Sequence, residues 1–271
     1  MKNIFYILVL LSLVSCEDVI DLNLSTAKPK LVIDASIKWQ KGTLGNEQKI
    51  KLSTTTGFYS NVIPKVSGAT VFITNSSNDI FNFVESTTSI GEYICTDFVP
   101  AINENYTLTV VVNGETYTAS EKLLPTPDIV RIEQKTVEGF SGEEFQVKYF
   151  YQDNGQENNY YLIGFKYSGV VATEFAALSD EFFQGNEMFG FYTNEDLKSG
   201  DELFMSLQGI SSRYFNYMDK IISISGSAGG SPFSTPPATV KGNIINQTNS
   251  QNFPLGYFNL SEIDARTYIL E

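Results

Sequence analysis

Few residues in this sequence of 271 amino acids could carry chemistry. There is no histidine, which excludes Ser-His-Asp and Cys-His catalysis and most catalytic zinc sites. The only cysteines are Cys16 and Cys95. Cys95 lies in the alternating stretch GEYICTDF, a pattern typical of a strand. We expect a buried structural thiol there, because no histidine is present to activate it as a nucleophile.

Cys16 is the residue whose setting predicts a covalent modification. Lys2 gives the N-terminus a positive charge, and an uncharged, mostly apolar run follows and ends in LVSC. The run is shorter than the roughly 20 residues that span a bilayer, and it has the layout of a secretory signal. Its end resembles a bacterial lipoprotein box, which implies a signal peptide over 1–15 and acylation of Cys16. The alternative is an ordinary signal peptide followed by a free or disulfide-bonded thiol.

Two acidic segments are weaker candidates for chemistry. Asp180 and Glu181, in the segment SDEFFQG, could act as a general acid and base, but no second partner is evident nearby. Solvated acids in a short helical turn or loop are the simpler interpretation. The segment 153–159 is rich in acids and amides that could bind calcium, yet its spacing differs from an EF-hand loop and fits a hairpin turn. We therefore predict no catalytic residue, no metal and no cofactor.

Charge and composition limit the partners and the fold class. The net charge is −13, so binding to nucleic acid is disfavoured, as is unaided docking on anionic lipid head groups. Abundant Tyr, Phe, Thr, Val and Ile favour strands over helices. We predict a mainly β protein that is not an enzyme.

Turn signals divide this β-rich chain. After an acidic, irregular tether over 16–30, residues 31–124 contain short alternating stretches with turns at roughly 8–12 residue spacing, which indicates a β-sandwich. Asn113-Gly114, between two such stretches, is a strong hairpin signal. The sequence LPTPD at 124–128 carries two prolines and is the predicted boundary, so a second β-rich domain is expected over 128–271.

The second domain has one predicted helix, near residues 211–225. Phe215, Met218, Ile221 and Ile222 form an apolar stripe, and Ser211 or Ser212 is a suitable N-cap. The segment over 170–200 is mixed and weakly patterned. A loop rich in Gly, Ser and Pro follows the helix over 226–237 and is expected to be exposed.

Several pieces of the sequence resemble known families. The strands around VSGATVFI, GEY and NYTLTVVVNG look like a prealbumin-like or carboxypeptidase-regulatory-like module, a small sandwich. The ordered pieces CED, KLVI, LPTP, SDEFFQG, YFNY and LGYF resemble a large lipoprotein family, domain of unknown function 4249, over almost the whole mature chain.

The second resemblance implies a function. The family is associated with outer membranes of Gram-negative bacteria, and its genes commonly accompany TonB-dependent receptors. We therefore expect a lipoprotein held in the outer membrane by acylated Cys16, acting as an accessory binding or docking subunit of a receptor barrel. Acidic Glu17 and Asp18, directly after the cysteine, resemble a signal for export to the cell exterior, and the alternative is a solvated linker. The alternatives are a structural or adhesive envelope protein and, less favoured, an enzyme using carboxylates or a metal.

Residues in the second domain are the predicted partner-binding site. Tyr214 and Tyr217 flank the stripe of the predicted helix, and Phe233 lies in the exposed loop. Aromatic side chains in a polar rim are where interface energy concentrates. The alternative is that these rings pack within the fold.

Overall fold

The computed structural model of this chain describes residues 28–57, 60–139, 142–225 and 239–271. The predicted signal peptide, Cys16, most of the tether over 16–30 and Phe233 lie outside the described residues. Within the described ranges, no helix combines the length and the apolar character that crossing a membrane requires.

Strands dominate the described residues, which confirms the mainly β prediction. The strands are β1 Leu31–Gln40, β2 Gln48–Thr54, β3 Thr70–Asn75, β4 Ile80–Glu85, β5 Glu92–Cys95, β6 Asn105–Val112, β7 Glu115–Lys122, β8 Ile129–Glu138, β9 Glu143–Gln152, β10 Tyr160–Tyr167, β11 Glu174–Ser179, β12 Glu187–Asn194, β13 Glu202–Ile210, β14 Ile245–Asn246 and β15 Leu255–Ile269, and the described helix is α1, Ser212–Ser225.

The first core follows from alternation. Strands such as β2 and β6 bury every second residue, so one face of each is apolar. These faces pack together as a sandwich around side chains that include Ile50, Leu108 and Tyr93. Asn113 and Gly114 both have positive φ and join β6 to β7, so the predicted hairpin is confirmed.

The second core lies between two sheets. A three-stranded sheet, β12-β9-β8, packs against β10 and β13 of the twelve-stranded sheet, and Tyr149, Tyr151 and Phe165 are buried between them. Helix α1 covers the opposite face of β10, where it meets Leu162 and Tyr257. Strand β10 is therefore covered on both faces, which explains its nearly continuous burial.

Strand β15 takes part in both cores. It pairs in parallel with β1 over Val32–Gln40 and antiparallel with β13 further along. Phe258 and Leu260 of β15, together with Ile244, are buried in the first core. The division at 124–128 stays a prediction about domains, but the packing does not follow it, because the last part of the chain completes the first core.

Two local predictions are confirmed. Ser211 caps helix α1, since its Oγ accepts a hydrogen bond from the Tyr214 N–H at 3.2 Å. Cys95 is buried, and its thiol donates to Asp97 Oδ1 at 3.1 Å. Burial is the main reason that the pKa of Cys95 is raised to about 11, so the thiol stays protonated and inert.

Candidate functional site

A turn between β11 and β12 presents two phenylalanines to solvent. Residues 180–186, called the aromatic turn below, connect the two strands. Phe182 is 82% exposed and Phe183 is 56% exposed. Large apolar side chains grouped in this way are unusual on a soluble surface and mark interaction sites.

Two buried carboxylates fix the backbone of the aromatic turn and of the neighbouring loop. The buried Asp180 accepts a hydrogen bond from the Asn159 N–H at 2.8 Å. The buried Asp153 accepts from the Gly185 N–H at 2.8 Å and from the Tyr161 hydroxyl at 2.5 Å. The pKa of Tyr161 is raised well above its ordinary value, first by burial and then by this bond to Asp153, so its hydroxyl remains a donor.

Backbone contacts tighten the same turn. The Asn186 N–H donates to the Phe183 carbonyl at 2.9 Å. Gly155 of the neighbouring loop lies so close that a Cβ there would be 2.8 Å from Gly185 Cα. The Gln152 side chain also donates to the Gly185 carbonyl at 2.9 Å. The turn is therefore preorganised, which lowers the entropy lost when its exposed rings bind a partner.

These contacts show what the acids of the two weakly predicted chemical sites, the segments 179–185 and 153–159, do in the fold. Asp180 and Asp153 both use their oxygens to hold backbone and a tyrosine, which is a structural role. The segment over 180–186 is a turn and belongs to no helix. No cluster of three or more acidic or cysteine side chains that could hold a metal ion occurs within the described ranges.

Aromatic rings also cover the outer face of β9 and β12. Phe189 is 45% exposed and Phe191 is 53% exposed. Phe189 lies between the other two rings, with centroids 5.9 Å from Phe150 and 6.3 Å from Phe191. Together with the aromatic turn, four exposed phenylalanines lie between residues 182 and 191.

Two basic side chains make cation–π contacts with these phenylalanine rings. The Arg131 guanidinium lies 3.6 Å from the Phe150 centroid, and Lys148 Nζ lies 4.6 Å from the Phe189 centroid. Arg131 also makes a two-point contact with Glu187, which lowers the pKa of that carboxyl. The face thus combines phenylalanine rings with an arginine, and both residue types are enriched at protein interfaces.

A cleft lies beside the aromatic turn, where the two cores meet. It holds about 440 Å³ between the linker over 124–127, the loop over 154–159 and the start of α1. A second hollow of about 450 Å³ shares Asn158, Tyr160 and Ser212 with it and reaches Asp180. Each volume is within the range of ligand clefts, about 300–1,000 Å³.

The structure places the predicted docking tyrosines in packing positions. Tyr214 is buried, with its ring centroid 4.8 Å from that of Tyr257. Burial is the main cause that raises the pKa of Tyr214 to about 12. Tyr217 is half-buried and also lies 4.8 Å from Tyr257. Tyr214 is therefore excluded as an exposed anchor. Tyr217 lines a hollow of about 580 Å³ on the outer side of α1, so its role in docking stays a prediction. Phe233 lies outside the described residues.

The exposed phenylalanines were missed because their segment was interpreted through its acids. The signal was present: Phe182-Phe183 stands in a short polar segment between two stretches of strand-forming residues, where no apolar face explains it. Connecting segments usually run over the protein surface, so two apolar side chains within one are candidates for exposure.

Comparison with solved structures adds no functional argument. A two-domain fibronectin type III segment from chicken tenascin matches 68% of this chain and 91% of its own length, at 11% identity and a TM-score of 0.23. A cytokine receptor complex matches 67% and 83%, at 9% identity and a TM-score of 0.24. Both scores are too low to assign more than a general likeness among β domains.

Comparison with protein families is decisive. No curated protein matches the chain. One family model, described as a domain of unknown function, DUF4249, matches residues 17–267, which is nearly the whole chain and includes both cores, the aromatic turn and the cleft. The chain therefore belongs to the DUF4249 family, as its ordered sequence pieces predicted.

Proposed function

We propose that this protein is a non-catalytic lipoprotein of the bacterial outer membrane, anchored by acylated Cys16 and facing the cell exterior, that docks on a TonB-dependent receptor. The observation that carries the docking role is the aromatic turn, with Phe182 and Phe183 exposed on a rigid support. The receptor as partner, the anchor and the location rest on the family resemblance and on the N-terminal sequence.

The energetics favour an interface at this turn. A few aromatic anchors commonly carry most of the binding energy of an interface, at 2 kcal/mol or more for a strong one. Burying an exposed phenylalanine removes apolar surface from water, which contributes roughly 25 cal/mol per Å². Because backbone and carboxylate contacts already fix the turn, little of this gain is lost to ordering.

Charge limits the surface that the turn would fit. Glu181 is next to Phe182, Glu157 lies on the neighbouring loop, and the whole chain carries −13. An anionic membrane surface would repel this rim. We therefore infer a protein partner with an apolar pocket for the two rings and basic residues around it.

The test of docking is a double substitution. Phe182→Ala with Phe183→Ala should weaken co-purification of the receptor from mild detergent, with an affinity loss of about 30-fold or more. Both side chains face solvent, so the melting temperature should stay within about 2 °C of wild type. Affinity would be measured on the purified complex by surface binding, and stability by thermal melts.

Leu44→Ala is the matched control, because Leu44 is also 82% exposed but lies in the loop between β1 and β2, away from the aromatic turn in the chain. It should leave receptor binding unchanged. Equal binding by the double variant and wild type would refute docking through this turn. If no receptor co-purifies with the wild-type protein, the structural or adhesive role becomes the better hypothesis.

Anchoring has its own test. Two acyl chains give durable membrane attachment where one is marginal. Cys16→Ala should therefore leave an unprocessed or released protein, and a palmitate analogue should label only wild type. Equal labelling of the variant would show that another residue is acylated or that the labelling is unspecific. Either result would refute the proposed lipid anchor at Cys16.

A further inference from the structure

The cleft at the junction of the two cores has the construction of a ligand site. Its floor is formed by the buried Thr126, Gly209 and Ile210, and one wall by the loop over 154–159. The hydrogen bonds of Asp180 to Asn159 and of Asp153 to Gly185 fix that loop and the turn beside it. The cleft is therefore preformed, as most small-molecule sites are.

Amide and hydroxyl groups dominate the walls. Asn103, Gln152, Asn154, Asn158 and Asn159 all line the cleft. A side-chain amide has two donor hydrogens and an acceptor oxygen. Some of this capacity is used within the protein: Gln152 donates to Gly185, Asn154 donates to Glu157, and Asn158 accepts from Gln184. The Asn158 NH₂ group and the hydroxyls of Tyr160 and Ser212 also line the cleft. A lining of this kind matches a ligand whose own groups both donate and accept.

The charged side chains of the two hollows are either exposed or already hydrogen-bonded. In the main hollow the charged side chains are Lys122 and Glu157, which have opposite sign and are both exposed. In the second hollow the charged side chains are Asp180, which is already committed to Asn159, and Glu181, which is exposed. An anion finds no free basic partner there, and a solvated carboxylate contributes little to binding a cation, so a neutral ligand is favoured.

The aromatic ring of Tyr160 lies between the two hollows. The Tyr160 ring packs on Phe215 with centroids 5.0 Å apart, and Tyr160 lines both hollows. The two hollows therefore adjoin at this ring, and together they are called the groove below. An extended ligand with apolar C–H faces and many hydroxyls fits this arrangement.

We propose that this groove binds a neutral oligosaccharide. Sugar hydroxyls pair with the amides, since both groups donate and accept, and a ring C–H face packs against Tyr160. The proposal goes beyond receptor docking and does not depend on it: Asp180 and Glu181 of the aromatic turn line the second hollow, but the Phe182 and Phe183 rings line neither hollow.

The test uses the full-length chain in mild detergent and a panel of neutral gluco-, manno-, galacto- and xylo-oligosaccharides of about four to seven units, a length chosen for the two adjoining hollows. Binding is measured by titration calorimetry and by saturation-transfer NMR. We expect at least one series to bind. Asn158→Ala should weaken that binding about tenfold, and Tyr160→Phe, which keeps the ring, should weaken it several-fold.

Asn82→Ala is the control, because Asn82 is an exposed amide on the outer face of β4 and lines neither hollow. It should leave sugar binding unchanged. The proposal is overturned if no saccharide of the panel binds at millimolar concentration or if binding survives the Asn158 substitution. Neutral oligopeptides that bind and lose affinity with Asn158→Ala would reassign the groove to peptides.

Discussion

Phe258→Ala should destabilise the first core by about 3–5 kcal/mol, the usual cost of removing a fully buried phenylalanine. Phe258 is completely buried among residues of the first core, although it comes from β15, near the end of the described chain. Its strand also pairs with β1 over Val32–Gln40, inside the twelve-stranded sheet. Loss of the ring leaves a cavity that the surrounding strands can fill only in part.

Trp39 makes this prediction measurable. It is the only tryptophan of the chain, it lies on β1, and its register partner on β15 is Glu262. Guanidinium unfolding followed by its fluorescence should show a lower midpoint with an unchanged slope. Ile269→Ala, at an exposed position of the same strand, is the control and should change the midpoint little.

The result also decides how the chain is divided. An unchanged midpoint in Phe258→Ala would mean that residues 31–124 fold without β15, as the predicted domain boundary implies. A lowered midpoint would mean that the first core requires a strand from the predicted second domain.

The sequence predicted the local structure of the first core well. Alternation in β2 and β6 and the Asn113-Gly114 turn are short-range signals, and each is sufficient for its element. The parallel pairing of β1 with β15 could not be predicted. Its residues are more than two hundred positions apart, and strand propensity contains no information about the partner.

Strand β12 shows a second limit of prediction from the sequence. Strand β12 buries Met188 and Tyr192 but carries Phe189 and Phe191 on its outer face. Apolar residues on both faces remove the alternation that identifies a strand, which left residues 170–200 weakly patterned. The exposed phenylalanines of β12 therefore obscure the sequence pattern by which β12 would be predicted as a strand.

The candidate site was predictable only in part. The apolar stripe of α1 indicated a helix, but not which aromatic residues beside it would be covered. Tyr214 is buried because Tyr257 of β15 lies against it, and that contact depends on the distant pairing. Phe182 is exposed because no element covers the aromatic turn in the described part of the chain, which is likewise a tertiary property.

Gly209→Ala is the second large effect that we expect, at about 3 kcal/mol, toward the upper end for overpacking a fitted interior. A Cβ at Gly209 would lie 2.0 Å from the Pro125 carbonyl oxygen. That neighbour is backbone, which cannot move aside by a change of rotamer. The linker and β13 would have to separate.

The contacts beside Gly209 add to this effect. Its N–H donates to Thr126 Oγ1 at 2.6 Å, and the Thr126 hydroxyl donates to the Glu262 carbonyl at 2.5 Å. The Glu262 N–H in turn donates to the Leu124 carbonyl at 2.9 Å. The linker is thereby held between β13 and β15, and its displacement would break several buried hydrogen bonds at once.

Gly164→Ala on the neighbouring strand β10 is the matched control for Gly209→Ala. The atoms nearest to its added Cβ, at 2.7 Å and 3.0 Å, belong to the side chains of Ser206 and Phe175, which can shift. Its loss of stability should be smaller, about 1 kcal/mol. Urea unfolding measures both losses, and the Gly209 variant should also perturb the amide NMR signals of Thr126 and Glu262. Equal losses in the two variants would show that the linker yields as easily as a side chain, and that it does not fix the junction of the two cores.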